Sequence, residues 1–346
     1  MIMVLLSWIY IGLVCMAAGE LVLAAAHRLT GVRGILADTV PAAVISGMTF
    51  ITVYAEIFSL FGGVGAVCHL LLLLFMAVFY VRFPALRKRL GRKLMGIRTL
   101  AFSYEGLLYL GLILLLAFFA SRGTFHTDTN IYHAQAIRLI EEYGTVRGIA
   151  NIQLHFGYNS AYLVFCAFFT LGWLLPQALH TTTGFLAALL LLYACFGLRR
   201  AGSHRRHAAD GARVALILYI LTNLTGLMSP ATDYGTLLVV HYLLCAWLDA
   251  AEQAAPETGA AGRSPGNPQH SLQPPARGAE VRESALADAK LMSFGMLSVL
   301  ALFASSMKLS SAPLVLLALW PVVLGIRQHR GRWLLGFTGL GLLCFA

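Results

Sequence analysis

Charge is what this sequence has least of. Aspartate, glutamate, lysine and arginine make up 12% of its 346 residues, against 59% for the hydrophobic types. A soluble globular chain carries about a quarter charged residues, so that class is excluded. Acids are scarcer still, with 15 against 25 Lys and Arg for a formal net charge of +10. Such an excess can signal nucleic acid, but here the basic residues stand in short segments beside apolar runs. That is how cytoplasmic loops of membrane proteins look, and no nucleic-acid partner is expected. Paired cysteines are missing too. Cys15, Cys68, Cys166, Cys195, Cys245 and Cys344 all lie inside apolar segments without C-x-x-C spacing. They read as small buried hydrophobes, not as disulfides or metal ligands. The first residues lack a basic n-region and a small-residue cleavage site, so Met1–Ala26 reads as a retained span.

What is present is a series of apolar runs near the roughly 20 residues that cross a bilayer core. The pattern predicts an all-α, polytopic transmembrane bundle of about 10–11 apolar segments, one of them re-entrant. Ile2–Ala26, Val40–Leu60 and Gly65–Val81 are the first spans, with Glu20 and Glu56 inside them. Arg82–Arg98 then holds Arg82, Arg87, Lys88, Arg89, Arg92, Lys93 and Arg98 without an acid, which makes it a cytoplasmic loop. Glu105–Ser121 therefore runs outward, and residues 122–157 form an outer loop with its basic and acidic residues in balance. Within it, Tyr132, Ala136, Leu139, Ile140 and Tyr143 make an apolar stripe, predicting an interfacial helix over Thr129–Tyr143 that stops at Gly144.

Two apolar runs follow, Tyr158–Leu175 and Ala178–Leu198, before Arg199–Arg213 with five arginines against Asp210. If both crossed, that basic segment would fall outside, so Tyr158–Leu175 is expected to be re-entrant or interfacial. Val214–Met228 then runs outward and Tyr234–Ala250 returns. Residues 251–290, rich in Pro, Gly and Ala, read as a disordered cytoplasmic linker. Leu291–Met307 and Ser311–Ile326 form a last hairpin, with Arg327, Arg330 and Arg332 inside. The final apolar run is cut at Ala346, as in a fragment or a minimal last helix. The expected organisation is thus helices over 1–121, a site-bearing loop over 122–157, helices over 158–250, the linker, and helices over 291–346.

This topology sends three polar features to one face: Asp128 in the large loop, Asp233 in Ser229-Pro230-Ala231-Thr232-Asp233, and Lys308. Lys308 stands among apolar residues and serines, where it either snorkels at a helix end or pairs with an anion such as a phosphate. Asp128 precedes a predicted helix and can serve as its N-cap. Thr127-Asp128-Thr129-Asn130 offers four capping residues for one position, however, and the surplus points to a general base for an acceptor hydroxyl. His126, Asp128 and His133 can be read as a metal trio, but no two have the i, i+4 spacing of a helical zinc site. A carboxylate-bound Mg²⁺ or Mn²⁺ sharing substrate phosphates stays a second option. Arg138 and Arg147 offer guanidinium forks to phosphate. Tyr132, His126, His133 and Asn159 complete the substrate-binding candidates.

With these residues in view, the chain resembles the GT-C superfamily of integral-membrane glycosyltransferases, which includes protein mannosyltransferases and aminoarabinose transferases. The likeness rests on the acidic outer loop His126-Thr127-Asp128-Thr129-Asn130-Ile131-Tyr132-His133, the juxtamembrane helix ending in Tyr143-Gly144, and the junction Phe156-Gly157-Tyr158-Asn159-Ser160. Asp233 on a later outer turn and the hairpin Met307-Lys308-Leu309-Ser310-Ser311 extend it. The chain departs from the usual pattern in having three spans ahead of the loop and a single acid in it. The resemblance implies sugar transfer from a polyprenyl-phosphate donor to a glycan, lipid or protein acceptor outside a bacterial plasma membrane. It casts Asp128 as the catalytic or acceptor-orienting carboxylate, Asp233 as a second acid and Lys308 as a contact to the donor phosphate. Two other classes are open at this point. A transporter or flippase would place polar residues near mid-membrane on broken helices, and a non-catalytic assembly protein would need no site at all.

Overall fold

In a computed structural model of the chain the described residues are 1–32, 36, 39–101, 103–123, 126–201, 207–252 and 277–327. Among them the regular structure is entirely helical, in twelve α-helices. These are α1 (Ile2–Thr30), α2 (Val40–Ser59), α3 (Ala66–Arg82), α4 (Pro84–Ala101), α5 (Tyr104–Ser121) and α6 (Ala134–Tyr143). They continue with α7 (Ala161–Phe169), α8 (Thr182–Ala201), α9 (Ala208–Thr222), α10 (Thr232–Glu252), α11 (Arg277–Met307) and α12 (Leu319–Arg327). By length and composition α1, α2, α10, the apolar part of α11 and the stretch Leu309–Arg327 can each cross a bilayer, and α3 with α4 would make a sixth span. The protein is an all-α polytopic membrane bundle.

The bundle is built on the α1–α2 pair, which packs at backbone distance. A Cβ on Gly19 would sit 1.7 Å from the Ala43 carbonyl oxygen, and one on Gly47 would sit 1.7 Å from that of Cys15. Small residues four apart on both helices, Cys15 and Gly19 against Ala43 and Gly47, allow this approach, as in membrane helix pairs generally. On the far side of the bundle, Arg213 of α9 is buried and reaches Asp249 of α10 and Asp210, the latter at 2.8 Å. Its guanidinium lies over the Tyr193 ring of α8, so one cation joins three helices.

The segment expected to be re-entrant contains α7, whose nine residues rise only about 14 Å, under half of a bilayer core. All nine are buried, and α7 packs against α2, α6, α10 and α11. Irregular backbone follows from Leu171 to Thr181. Gly172, Trp173, Leu174, Pro176 and Gln177 within it are exposed.

Two expectations change. Arg82–Arg98, read as a loop, is mostly helix: Pro84 starts α4, and Leu86, Leu90 and Ile97 give it a partly covered apolar stripe. Of the linker over 251–290, residues 253–276 lie outside the described residues, but α11 already begins at Arg277. Past Pro275 the sequence carries Ala, Glu, Leu, Arg and Lys without proline, and these are good helix formers. Cys344 and the last apolar run also lie outside the described residues.

Candidate functional site

The helix expected over Thr129–Tyr143 is present in two parts. Thr129–His133 is a π-helical turn, and α6 continues it to Tyr143. The π-turn widens the helix where the polar residues are densest, a distortion often found at functional sites. α6 ends at Gly144 (φ 71°), whose N–H bonds the Ile140 carbonyl. A Cβ there would lie 2.3 Å from the Gly62 carbonyl oxygen, so the stop needs glycine for space as well as for φ.

Both ends of this loop helix are tied down. At its start the Thr129 and Ser229 hydroxyls bond at 2.6 Å, and both residues are buried. At its end the Val64 amide donates to Ile140 (3.0 Å), the Thr145 amide donates to Ser59 (2.8 Å), and the Thr170 hydroxyl donates to the Glu141 carboxylate (2.7 Å).

Asp128 has helical dihedrals (φ −64°, ψ −20°), and its side chain makes no capping bond. The capping role is therefore not taken, and the carboxylate is left to its neighbours. One turn on, Tyr132 has its phenol pushed above the ordinary range, first by burial and then by the negative charge of Asp128. The Tyr132 ring stacks on His155 (4.6 Å between centroids), lies 4.2 Å from His133, and meets Tyr158 edge-on.

His133 is the most enclosed of these groups. It is 1% exposed, and neither ring nitrogen has a hydrogen-bond partner. Burial lowers its pKa to about 4; Asp128 opposes the shift, while His126, Lys308 and His155 add to it. Burial thus favours the neutral imidazole. His126, 6.2 Å from His133 between centroids, packs edge-on against Tyr234.

The Ser229–Asp233 turn closes the other side. The Ser229 hydroxyl accepts from the Ala231 amide, and its carbonyl accepts from the Thr183 hydroxyl. Asp233, in the first turn of α10, forms an ion pair with Lys308, and both side chains stay partly exposed. Lys308 follows Met307, whose carbonyl accepts from the Ser160 hydroxyl at 2.5 Å. Asn159, exposed and left-handed (φ 44°), directly precedes that serine.

His126, Asp128, Tyr132 and His133 are thus brought to the Asp233–Lys308 pair, with Asn159 at the border. The two arginines are not. Arg138 is largely exposed, pairs with Glu142 at 2.7 Å, and lines a separate groove of about 790 Å³ with Glu141, Trp173 and His180. Arg147 is exposed and makes no ion pair among the described residues. His155 and Ser229 belong to the cluster although sequence reasoning passed over their side chains. The one signal for His155 was its place in the polar loop, and Ser229 was visible only as part of the Ser-Pro turn. Among the described residues no three His, Cys, Asp or Glu side chains are grouped to hold a metal ion.

Chemically, the cluster offers a carboxylate that does not cap its helix, a cation on a second carboxylate, an imidazole and a phenol. It can hold an anionic group at Lys308 and receive a proton at Asp128.

Fold and cluster together define a multi-pass helical membrane protein with a polar cluster built on a loop helix. The chain belongs to the family described as Domain of unknown function (DUF8201), whose model matches residues 1–261. No curated protein matches the chain, and no solved structure does.

Proposed function

We propose that this protein is a GT-C-like glycosyltransferase of a bacterial plasma membrane. It moves a sugar from a polyprenyl-phosphate donor to a glycan, lipid or protein acceptor on the outer face. The observation that carries the reading is Asp128, released from capping and gathered with Tyr132, His133 and Lys308 around the same turn. In the reaction, the bond between the anomeric carbon and the phosphate oxygen breaks, and its electron pair leaves with the phosphate. A bond to the acceptor oxygen forms, and the acceptor proton passes to Asp128. Lys308 turns from Asp233 to the leaving phosphate, where a cation stabilises the transition state more than the ground state.

The test is sugar transfer from a radiolabelled polyprenyl-phosphate donor in membranes holding wild type, Asp128→Asn or Lys308→Ala. Asp128→Asn should lower transfer by about 10²–10⁴-fold, as loss of a general base does, with insertion in the membrane unchanged. Lys308→Ala should weaken transfer with donor-dependent severity. Full activity in the Asp128 variant would remove the catalytic role.

A further inference from the structure

We infer that α4 is an in-plane docking surface for anionic phospholipid headgroups of the leaflet opposite the polar cluster. This goes beyond sugar transfer and does not depend on it.

Two helices measure the depth of α4 independently. α3 starts beside the C-terminal end of α6, where Val64 bonds Ile140, and its 17 residues rise about 25 Å to Arg82. There the chain bends by 104° into α4. On α1, the rise from Ile2 to Glu20 is about 27 Å. Glu20 is fully buried and takes Arg89 at 2.8 Å and Lys93 at 3.1 Å from α4. Both distances approach the thickness of a hydrocarbon core, about 30 Å. A helix turned nearly square to α3 at that depth runs along the headgroups.

Arg89 and Lys93 are occupied by the lock to α1. Arg87, Lys88, Arg92 and Arg98 are exposed and make no ion pair among the described residues. No acid occurs between Arg82 and Arg98 to neutralise them. Leu94 and Met95 are also exposed, at 38% and 59%, and supply apolar contact for the boundary between headgroups and acyl chains. A row of cations held at headgroup depth fits lipid phosphates, whose surface potential attracts basic segments.

The full chain is reconstituted in nanodiscs of phosphatidylcholine alone or mixed with phosphatidylglycerol. Native mass spectrometry counts phosphatidylglycerol retained per chain, and hydrogen–deuterium exchange follows residues 84–98. The wild type should retain phosphatidylglycerol, exchange more slowly in its presence, and release it as salt is raised. R87Q/K88Q/R92Q/R98Q should retain several-fold less, and R87K/R92K/R98K should retain it fully. The salt series on the wild type carries the test even if the glutamine variant fails to fold. Unchanged retention in the glutamine variant, salt-insensitive retention, or equal loss in the lysine variant overturns the inference.

Discussion

Acidification should destabilise this protein through His133, and the size of the effect can be worked from the site. An unfolded imidazole takes its proton as the pH falls through about 6.5. In the folded chain burial holds His133 neutral down to about 4. Between those values the unfolded state binds more protons, so stability falls as the pH falls. The full contribution is present above about 6.5 and is lost by about pH 4. The gap of about 2.5 pH units corresponds to about 3 kcal/mol. The perturbation is His133→Leu, which removes the titrating group and both unpartnered nitrogens while keeping an apolar side chain of similar size. Denaturation midpoints in detergent, measured for both proteins from neutral pH down to 4, give two curves. Groups that do not interact with His133 contribute equally to both curves and cancel in the difference. The wild type should lose about 3 kcal/mol more than the variant across that range. Near neutral pH the variant loses no hydrogen bond, only the ring contacts with Tyr132 and His126. Equal slopes for the two proteins, or an NMR titration of His133 near its ordinary value, would refute the reasoning.

Further outcomes test the frame around the site. Gly19→Ala should drive α1 from α2 and cost about 1–3 kcal/mol or more, read as a lower melting midpoint, since its new methyl meets backbone that cannot yield. Gly47→Ala should behave alike, and the two together should be less than additive because they break one interface. Arg213→Ala should cost about 3–5 kcal/mol by stranding Asp249 and Asp210, whereas Arg213→Lys should recover only part of it. Ser229→Ala removes the buried partner of Thr129 and should cost about 1–3 kcal/mol. Proteolysis within residues 126–133 should report that loosening before global unfolding does.

Fold class, and which polar residues gather in the candidate cluster, were legible because their signals are local. Long apolar runs announce spans, and basic segments beside them announce sides. Charge parity led to the expectation that Tyr158–Leu175 does not cross, and the helix found there, α7, has nine residues. α4 and the start of α11 were misread for a shared reason. In both, polar residues crowd the sequence, and composition suggests a loop where Leu spacing or helix propensity makes a helix. At the site, Asp128, Asp233 and Lys308 were visible as charges in apolar surroundings. Their detailed relations were not, because the Thr129–Ser229 bond spans a hundred residues and nothing in either segment specifies the other. The arginines misled for the converse reason. Arg138 has a local partner four residues on, and an i, i+4 pair satisfies it without any ligand.

The double anchoring of the loop helix has a consequence for when order is imposed. A loop that closes on its ligand surrenders backbone freedom at each encounter, about 1–2 kcal/mol per residue fixed. Here Thr129, Ile140, Glu141 and Thr145 are fastened as the chain folds. The loss is therefore met once, by the packing of the bundle, and is not repeated at every binding event. Affinity for a ligand at Asp128 and Lys308 should accordingly be sensitive to distant changes that loosen those anchors. Ser59, far along the chain from either residue, would act on binding by setting how firmly Thr145 is held.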